Sequence, residues 1–126
     1  MNPWIHSKSS AAKFGGAPMD YYEIHMFIDG SKSAYGSVQH RAIMHNSYAA
    51  AVIIPAVFGP CIVNADGKDV STKDIAEQHI IEDTGRLPSI QDWVSKIKIE
   101  PWMGPPGGKR RGQRRKKRDS PLDDEE

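Results

Sequence analysis

Val38-Gln-His-Arg-Ala-Ile-Met-His45-Asn-Ser-Tyr-Ala-Ala-Ala-Val52-Ile-Ile-Pro-Ala-Val-Phe58 is the stretch whose reading decides the fold. Val38, Ala42, His45, Ala49, Val52 and Ala56 recur at steps of four and three, which puts them on one helical face. All are apolar except His45. The period predicts one long helix from near Ser31 to Phe58. Gly59 stops it, and Pro55 kinks or shortens its end.

Upstream, Ser7 to Phe14 forms a short helix ended by Gly15-Gly16. Pro18 suits the first position of a second helix, which runs to about Ile28 and ends near Asp29-Gly30. Downstream, Cys61-Ile-Val and Asp69-Val-Ser flank the tight-turn pair Asp66-Gly67 and predict a hairpin. Ser71, with Asp74 three residues on, caps a helix from Thr72 to Thr84, and Ser89 with Asp92 opens a last short one. The expected fold is mainly α: a small domain of four to five helices with one short β-hairpin over residues 1–103. A disordered tail over residues 104–126 follows, opened by Gly104-Pro-Pro-Gly-Gly.

Charge separates the same two regions. Eight of the ten residues from Lys109 to Arg118 are basic, and five of the eight from Asp119 to Glu126 are acidic. Residues 1–108 keep nine basic and eleven acidic side chains, a net of −2, so polyanion binding belongs to the tail. The single cysteine, Cys61, excludes an intrachain disulfide, and the N-terminal residues carry no secretory pattern. The longest apolar stretch, Tyr48 to Phe58, is shorter than the roughly 20 residues a membrane span needs. A cytoplasmic protein is expected.

Three histidines occupy positions where core residues belong. His45 lies on the stripe described above, His25 shares a face with Tyr21, Ile24 and Ile28, and His79 shares one with Ile75, Ala76 and Ile80. Inward stripes of a domain this small meet in one core, so the imidazoles should converge. Asp29 and Asp83 stand four residues after His25 and His79, where a carboxylate can orient the imidazole or bind a metal beside it. Arg41 stands four before His45. On a regular helix His40 lies about 140° around from His45, away from its site.

Three readings stay open: a metal site, a metal-free polar or catalytic cluster, and plain structural hydrogen bonding. In the first, His25, His45, His79 and Asp83 hold one divalent ion (Zn, Mn or Fe), supported by Asp29 and His40. Arg41 then clamps an anionic oxygen and Glu82 serves as general base. Other candidates have simpler explanations. Cys61 follows Pro60 in a short strand, Gly15-Gly16 is a helix stop, and the Asn64-Ala-Asp-Gly loop is too short for an EF-hand.

Several segments taken together resemble a family of small bacterial and phage proteins, a domain of unknown function. They are Ser9-Ser10 with Phe14-Gly15-Gly16, Pro18 with Asp20-Tyr21, Ile24-His25 with Phe27 and Asp29, and His40-Arg41-Ala42 with His45. Ser31 with Lys32, Phe58-Gly59, Asn64 with Asp66-Gly67, Glu77-Gln78-His79 with Glu82-Asp83, Gly85, Pro88-Ser89 with Asp92-Trp93, and Pro101-Trp102-Met103 complete the set. The likeness covers roughly residues 4–103. The chain departs from it at Ala17, where a threonine is common, and at Asn46, where a further histidine is. The resemblance implies the domain boundary and a bacterial or phage-infected cell.

Two functions follow as expectations. One is a small metal-dependent hydrolase acting on a phosphorylated or nucleotide-like substrate. The other is a non-catalytic binding or accessory protein, docked on a protein partner and anchored to nucleic acid or ribosome by its tail. The anchoring residues would be Lys109, Arg110, Arg111, Arg114, Arg115, Lys116, Lys117 and Arg118. No membrane partner is expected.

Overall fold

A computed structural model describes residues 1–105, so the basic run Lys109–Arg118 and the acidic end lie outside the described residues. The described chain divides into a body over Met1–Lys96 and a second unit that begins at Ile97. The second unit holds a 3₁₀ turn over Pro101–Met103 and an exposed Lys98–Glu100 ion pair at 3.7 Å.

The body is mainly helical. In chain order its elements are α1 (Pro3–Phe14), α2 (Tyr22–Asp29), α3 (Arg41–Met44), α4 (Ile54–Phe58), strands β1 (Cys61–Val63) and β2 (Asp69–Ser71), α5 (Thr72–Thr84) and α6 (Ile90–Val94). The strands pair antiparallel as the expected hairpin, Cys61 opposite Ser71 and Val63 opposite Asp69. No helix among the described residues is long and apolar enough to cross a membrane.

Local chemistry explains the boundaries. α1 begins four residues earlier than the composition of Ser7–Phe14 suggests, because Asn2 Oδ1 accepts from Ile5 N at 2.9 Å and Pro3 stands at the first helical position. Ser71 Oγ caps α5 through Asp74 N at 3.2 Å. Ser89 and Asp92 form a reciprocal capping box on α6.

The long helix expected from Ser31 to Phe58 is not continuous. Gly30–Ser33 and Val38–His40 are 3₁₀ turns, α3 lasts only from Arg41 to Met44, and His45 leaves helical geometry at φ −94°, ψ 60°. Asn46 makes the break. Its Nδ2 donates to the carbonyls of Ala42 (3.0 Å) and Ile43 (3.2 Å), and its Oδ1 accepts from Ala49 N at 2.8 Å. One buried amide thus closes α3 and opens the next helical segment. That segment passes through a π-type turn over Ala49–Ile53, where Ile54 N donates to Ala49 O, before becoming α4. The longer ladder spacing before Pro55 accommodates its missing N–H, so the segment runs through the proline to Phe58. The phase changes with it. Val38 and Val52 of the expected stripe are 59% and 47% exposed, whereas Ala49, Ala50 and Ile54 are fully buried.

Tyr21 just before α2, Ile24 and Ile28 within it, Ala49, Ala50 and Ile54, and Ile75, Ala76 and Ile80 from α5 lie in the apolar core. The end of α1 is tied to the hairpin. Asn64 Nδ2 donates to Phe14 O and to the Tyr21 hydroxyl oxygen, both at 3.2 Å, and the Tyr21 hydroxyl donates to Gly15 O at 2.6 Å. Gly16, at φ +73°, fits there because a Cβ would lie 2.5 Å from Asp20 Oδ2 and 2.7 Å from Asn64 Cβ. These ties fix the direction of α1 and therefore the place of His6 one turn from its start.

Candidate metal centre

His25 and His79 occur on inward faces because their helices carry apolar residues at the same helical spacing, and both are fully buried. His45 is buried too, placed by the break after Met44 and by Trp93 Nε1, which donates to its carbonyl at 2.9 Å. A fourth imidazole, His6 from α1, is also fully buried and joins them. Its ring stacks on His79 with centroids 3.7 Å apart and on His25 at 5.4 Å.

These rings surround two carboxylates. Asp83 Oδ2 lies 2.9 Å from His45 Nε2 and 3.2 Å from His79 Nε2, and its Oδ1 lies 3.1 Å from His6 Nε2. Asp29 Oδ1 lies 3.1 Å from His79 Nε2 and 3.5 Å from His45 Nε2. One ligand atom each from His6, Asp29, His79 and Asp83 fall within 4.8 Å of one another. This group can hold a metal ion. Bonds of about 2.0–2.2 Å to a common ion put neighbouring donors about 3.0–3.5 Å apart, a spacing shared by the His6–Asp83, His79–Asp29 and His79–Asp83 contacts at 3.1, 3.1 and 3.2 Å, within a group that fits inside 4.8 Å.

The second nitrogen of two of these rings is anchored. His6 Nδ1 lies 2.8 Å from Glu82 Oε1, and Glu82 is itself held by Ser9 Oγ–H and by Gln78 Nε2–H at 2.8 Å. His79 Nδ1 lies 2.8 Å from His25 Nδ1. Outer partners of this kind fix ring orientation at metal centres. His45 Nδ1 is buried and has no hydrogen-bond partner among the described residues.

The electrostatics follow from burial opposed by hydrogen bonding. Burial raises the Asp83 carboxyl, but bonds from His45, His6 and His79 outweigh it and hold the group well below the usual carboxylate range. Asp29 and Glu82 are lowered by the same contest, through His79 for Asp29 and through Ser9, His6 and Gln78 for Glu82. Burial, reinforced by its neighbours His79 and His6, pushes His25 down to about 3. His45 is lowered chiefly by burial, against the bond to Asp83. His79 moves the other way: burial lowers it, but Asp29 and Asp83 together raise it.

The placement of the expected site residues differs from the sequence reading in detail. His79, Asp83 and Asp29 stand together in the compact donor group, with Asp29 as a donor rather than a supporting residue. His45 borders the group through both aspartates. His25 faces it through His79 and hydrogen-bonds Ser10 Oγ at 2.7 Å on its other side. His40 is not turned away from His45, because the helix breaks between them. Their rings meet edge-on at 6.0 Å, and His40 Nδ1 pairs with Ser31 Oγ at 2.9 Å. Arg41 sits at the rim with its guanidinium 3.9 Å from Asp83 Oδ1 and its side chain 26% exposed. Glu82 has both oxygens engaged by His6, Gln78 and Ser9, which makes it an anchor of His6. Sequence reading missed His6, Ser10 and Gln78. The signal for His6 was Asn2-Pro3, a cap and first-position pair that starts α1 early enough to bring His6 onto its inner face. Cys61 is exposed and stands apart from this group.

No curated protein and no solved structure matches the chain. Over residues 1–103 it matches a domain of unknown function, DUF6915, and the chain belongs to that family.

Proposed function

We propose that the domain binds one divalent metal ion, Zn²⁺, Mn²⁺ or Fe²⁺, between His6, His79, Asp29 and Asp83, with His45 at its edge, and uses it to hydrolyse an anionic, phosphorylated or nucleotide-like substrate. The observation that carries this reading is the convergence of two histidines and two aspartates, drawn from three helices, on one small volume inside the core. Mixed imidazole and carboxylate donors suit these ions. Such an ion supplies a bound water acidified toward neutral pH. Arg41, partly exposed beside Asp83, supplies a fixed positive charge for an anionic oxygen. Glu82 supports the site by holding His6.

Elemental analysis of purified protein, melting with and without EDTA, and hydrolysis of p-nitrophenyl phosphate and bis(p-nitrophenyl) phosphate test the proposal. About one equivalent of metal, a chelator-sensitive melting temperature and chelator-sensitive hydrolysis are expected. Neither bound metal nor a melting shift after loading with any of the three ions overturns it.

The second reading, attachment to DNA, RNA or ribosome, is favoured by the eight basic residues between Lys109 and Arg118. It is compatible with the first, since the two rest on different parts of the chain.

A further inference from the structure

We infer that Gln78, Ser10 and His25 form a directional hydrogen-bond relay that holds His79 in the tautomer protonated at Nδ1, leaving the Nε2 lone pair turned toward Asp29 and Asp83. The inference rests on the metal reading above and names the positioning residues that would prepare its central ligand.

The direction of each bond follows from what each atom can do. Gln78 Nε2 lies 2.8 Å from Glu82 Oε1 and 3.2 Å from His6 O, both acceptors, so the amide N–H₂ points to them. Gln78 Oε1 therefore faces Ser10 Oγ, 2.5 Å away, and this buried acceptor is met by the serine proton. Ser10 Oγ also lies 3.1 Å from His6 O, but that carbonyl is satisfied by Gln78 Nε2–H, whereas Gln78 Oε1 has no other donor among the described residues. With its one proton committed, Ser10 Oγ can only accept across the 2.7 Å contact to His25, so His25 donates from Nε2.

Neither ring nitrogen of His25 meets an anion: their partners are Ser10 and His79, in a fully buried position. A cation there would go unpaired, so the ring is neutral and Nδ1 carries the lone pair. The 2.8 Å contact between His25 Nδ1 and His79 Nδ1 then requires His79 to donate. His79 Nε2 is left for the carboxylate oxygens of Asp29 and Asp83, at 3.1 and 3.2 Å. A lone pair aimed at two anionic oxygens calls for a cation between them. A metal ion meets that need, and in its absence a second proton on His79 does. The relay spans α1, α2 and α5, so it also locks the three helices that carry the donor group.

Long-range ¹H–¹⁵N correlation of the imidazoles in the full chain reads the tautomers directly. In metal-free protein near pH 7.5, His25 should appear neutral with its proton on Nε2. After one equivalent of Zn²⁺, His79 should keep Nδ1–H while its Nε2 shows the shift of a metal ligand. His25 protonated on Nδ1, or His79 ligating through Nδ1, overturns the relay. Zn²⁺ affinity by chelator competition gives a second readout. His25→Leu should weaken binding roughly 10–100-fold, the usual cost of losing an outer partner. His25→Asn, which can present an amide oxygen where Nδ1 was, should recover most of the loss, and equal losses in the two variants also overturn the relay. Failure of Zn²⁺ to bind, with His25 still protonated on Nε2, removes the metal reading and leaves the relay standing. Tight binding with the opposite His25 tautomer does the reverse.

Discussion

The rings of His6 and His79 stack with centroids 3.7 Å apart and an inclination of 23°, and each turns Nε2 toward a different oxygen of Asp83. Asp83 thereby gathers α1, α5 and, through His45, the segment after α3 onto one carboxylate. Replacing it by Asn keeps the shape but substitutes an amide N–H₂ for one acceptor and removes the charge. Asp83→Asn should abolish tight metal binding. It should also destabilise the metal-free protein by about 2–4 kcal/mol, since buried imidazoles lose their common acceptor. Urea unfolding in EDTA gives the second number. A cost near zero would mean that Asp83 does not organise the core.

Metal binding should stabilise the fold in proportion to ligand excess. At a free ion concentration of 100 times Kd the gain is about 2.7 kcal/mol. For a domain of this size that corresponds to roughly 10–20 °C in Tm, measurable by differential scanning fluorimetry. Ligand imidazoles must give up protons, so the gain should shrink as pH falls from 8 to 6. A gain independent of pH would argue that the ion binds elsewhere, at carboxylates alone.

The metal-free protein should lose stability as pH falls below about 6.5. His25 has the ordinary value of 6.5 in the unfolded chain and about 3 in the folded one, where it faces His6, His79, Ser10, Asp29 and Asp83. Between those values the unfolded chain binds the proton and the folded chain does not, so acid favours unfolding, by up to about 1.4 kcal/mol per pH unit for one such group. His45, also lowered, acts in the same direction. His79 is raised, so its contribution is present below 6.5 and is lost only as pH rises through its folded value. The carboxylates, all lowered, add their losses further down, below their ordinary values of 3.8 and 4.5. Urea midpoints at pH 5, 6 and 7 in EDTA check this. His25→Gln should flatten the slope, and an unchanged slope would assign it to other groups.

Much of this was legible in sequence where side-chain period and cap agree. Ile24, His25 and Ile28 on α2 and Ile75, His79 and Ile80 on α5 are buried as their spacing requires, and the hairpin turns at the Asp66-Gly67 pair. The stretch from Val38 to Phe58 misled because its period was read through Asn46. A buried amide can serve two helix ends at once, and periodicity carries no mark of that. His6 was hidden by the opposite error, a helix start placed at Ser7 when the Asn2-Pro3 pair begins it earlier. Ser10 and Gln78 read as ordinary polar residues of helices. Only the arrangement of α1 against α5 makes them partners of the histidines.

The double cap at Asn46 gives a prediction independent of any metal. Asn46→Ala removes the acceptor for Ala49 N and the donor to the carbonyls of Ala42 and Ile43. The loss should be about 1–2 kcal/mol, with His45 displaced from Asp83 because the break that positions it relaxes. Asn46→Asp keeps the acceptor and loses the donors, so it should fall between. Chemical denaturation ranks the variants, and the His45 imidazole shifts report its movement. A fully stable Asn46→Ala protein would mean that the break is set by other contacts, such as Ser47 N donating to Pro88 O at 2.7 Å.

The tail is tested by truncation. Its ten-residue basic run carries eight positive charges and no aromatic residue. Binding to DNA or RNA should therefore depend on phosphate charge, fall steeply with salt and show little sequence preference. The acidic end, Asp123-Asp-Glu-Glu126, competes with phosphate for the same side chains. Deleting residues 119–126 should tighten binding at low salt, whereas deleting 104–126 should abolish it and leave the melting temperature of the helical body unchanged. Fluorescence anisotropy with a labelled duplex and a labelled single strand, from 20 to 200 mM salt, measures both. If the full chain binds neither at the lowest salt, the nucleic-acid reading is wrong. If binding survives the longer deletion, the contact lies on the helical body, whose net charge of −2 over residues 1–108 makes that the less favourable surface.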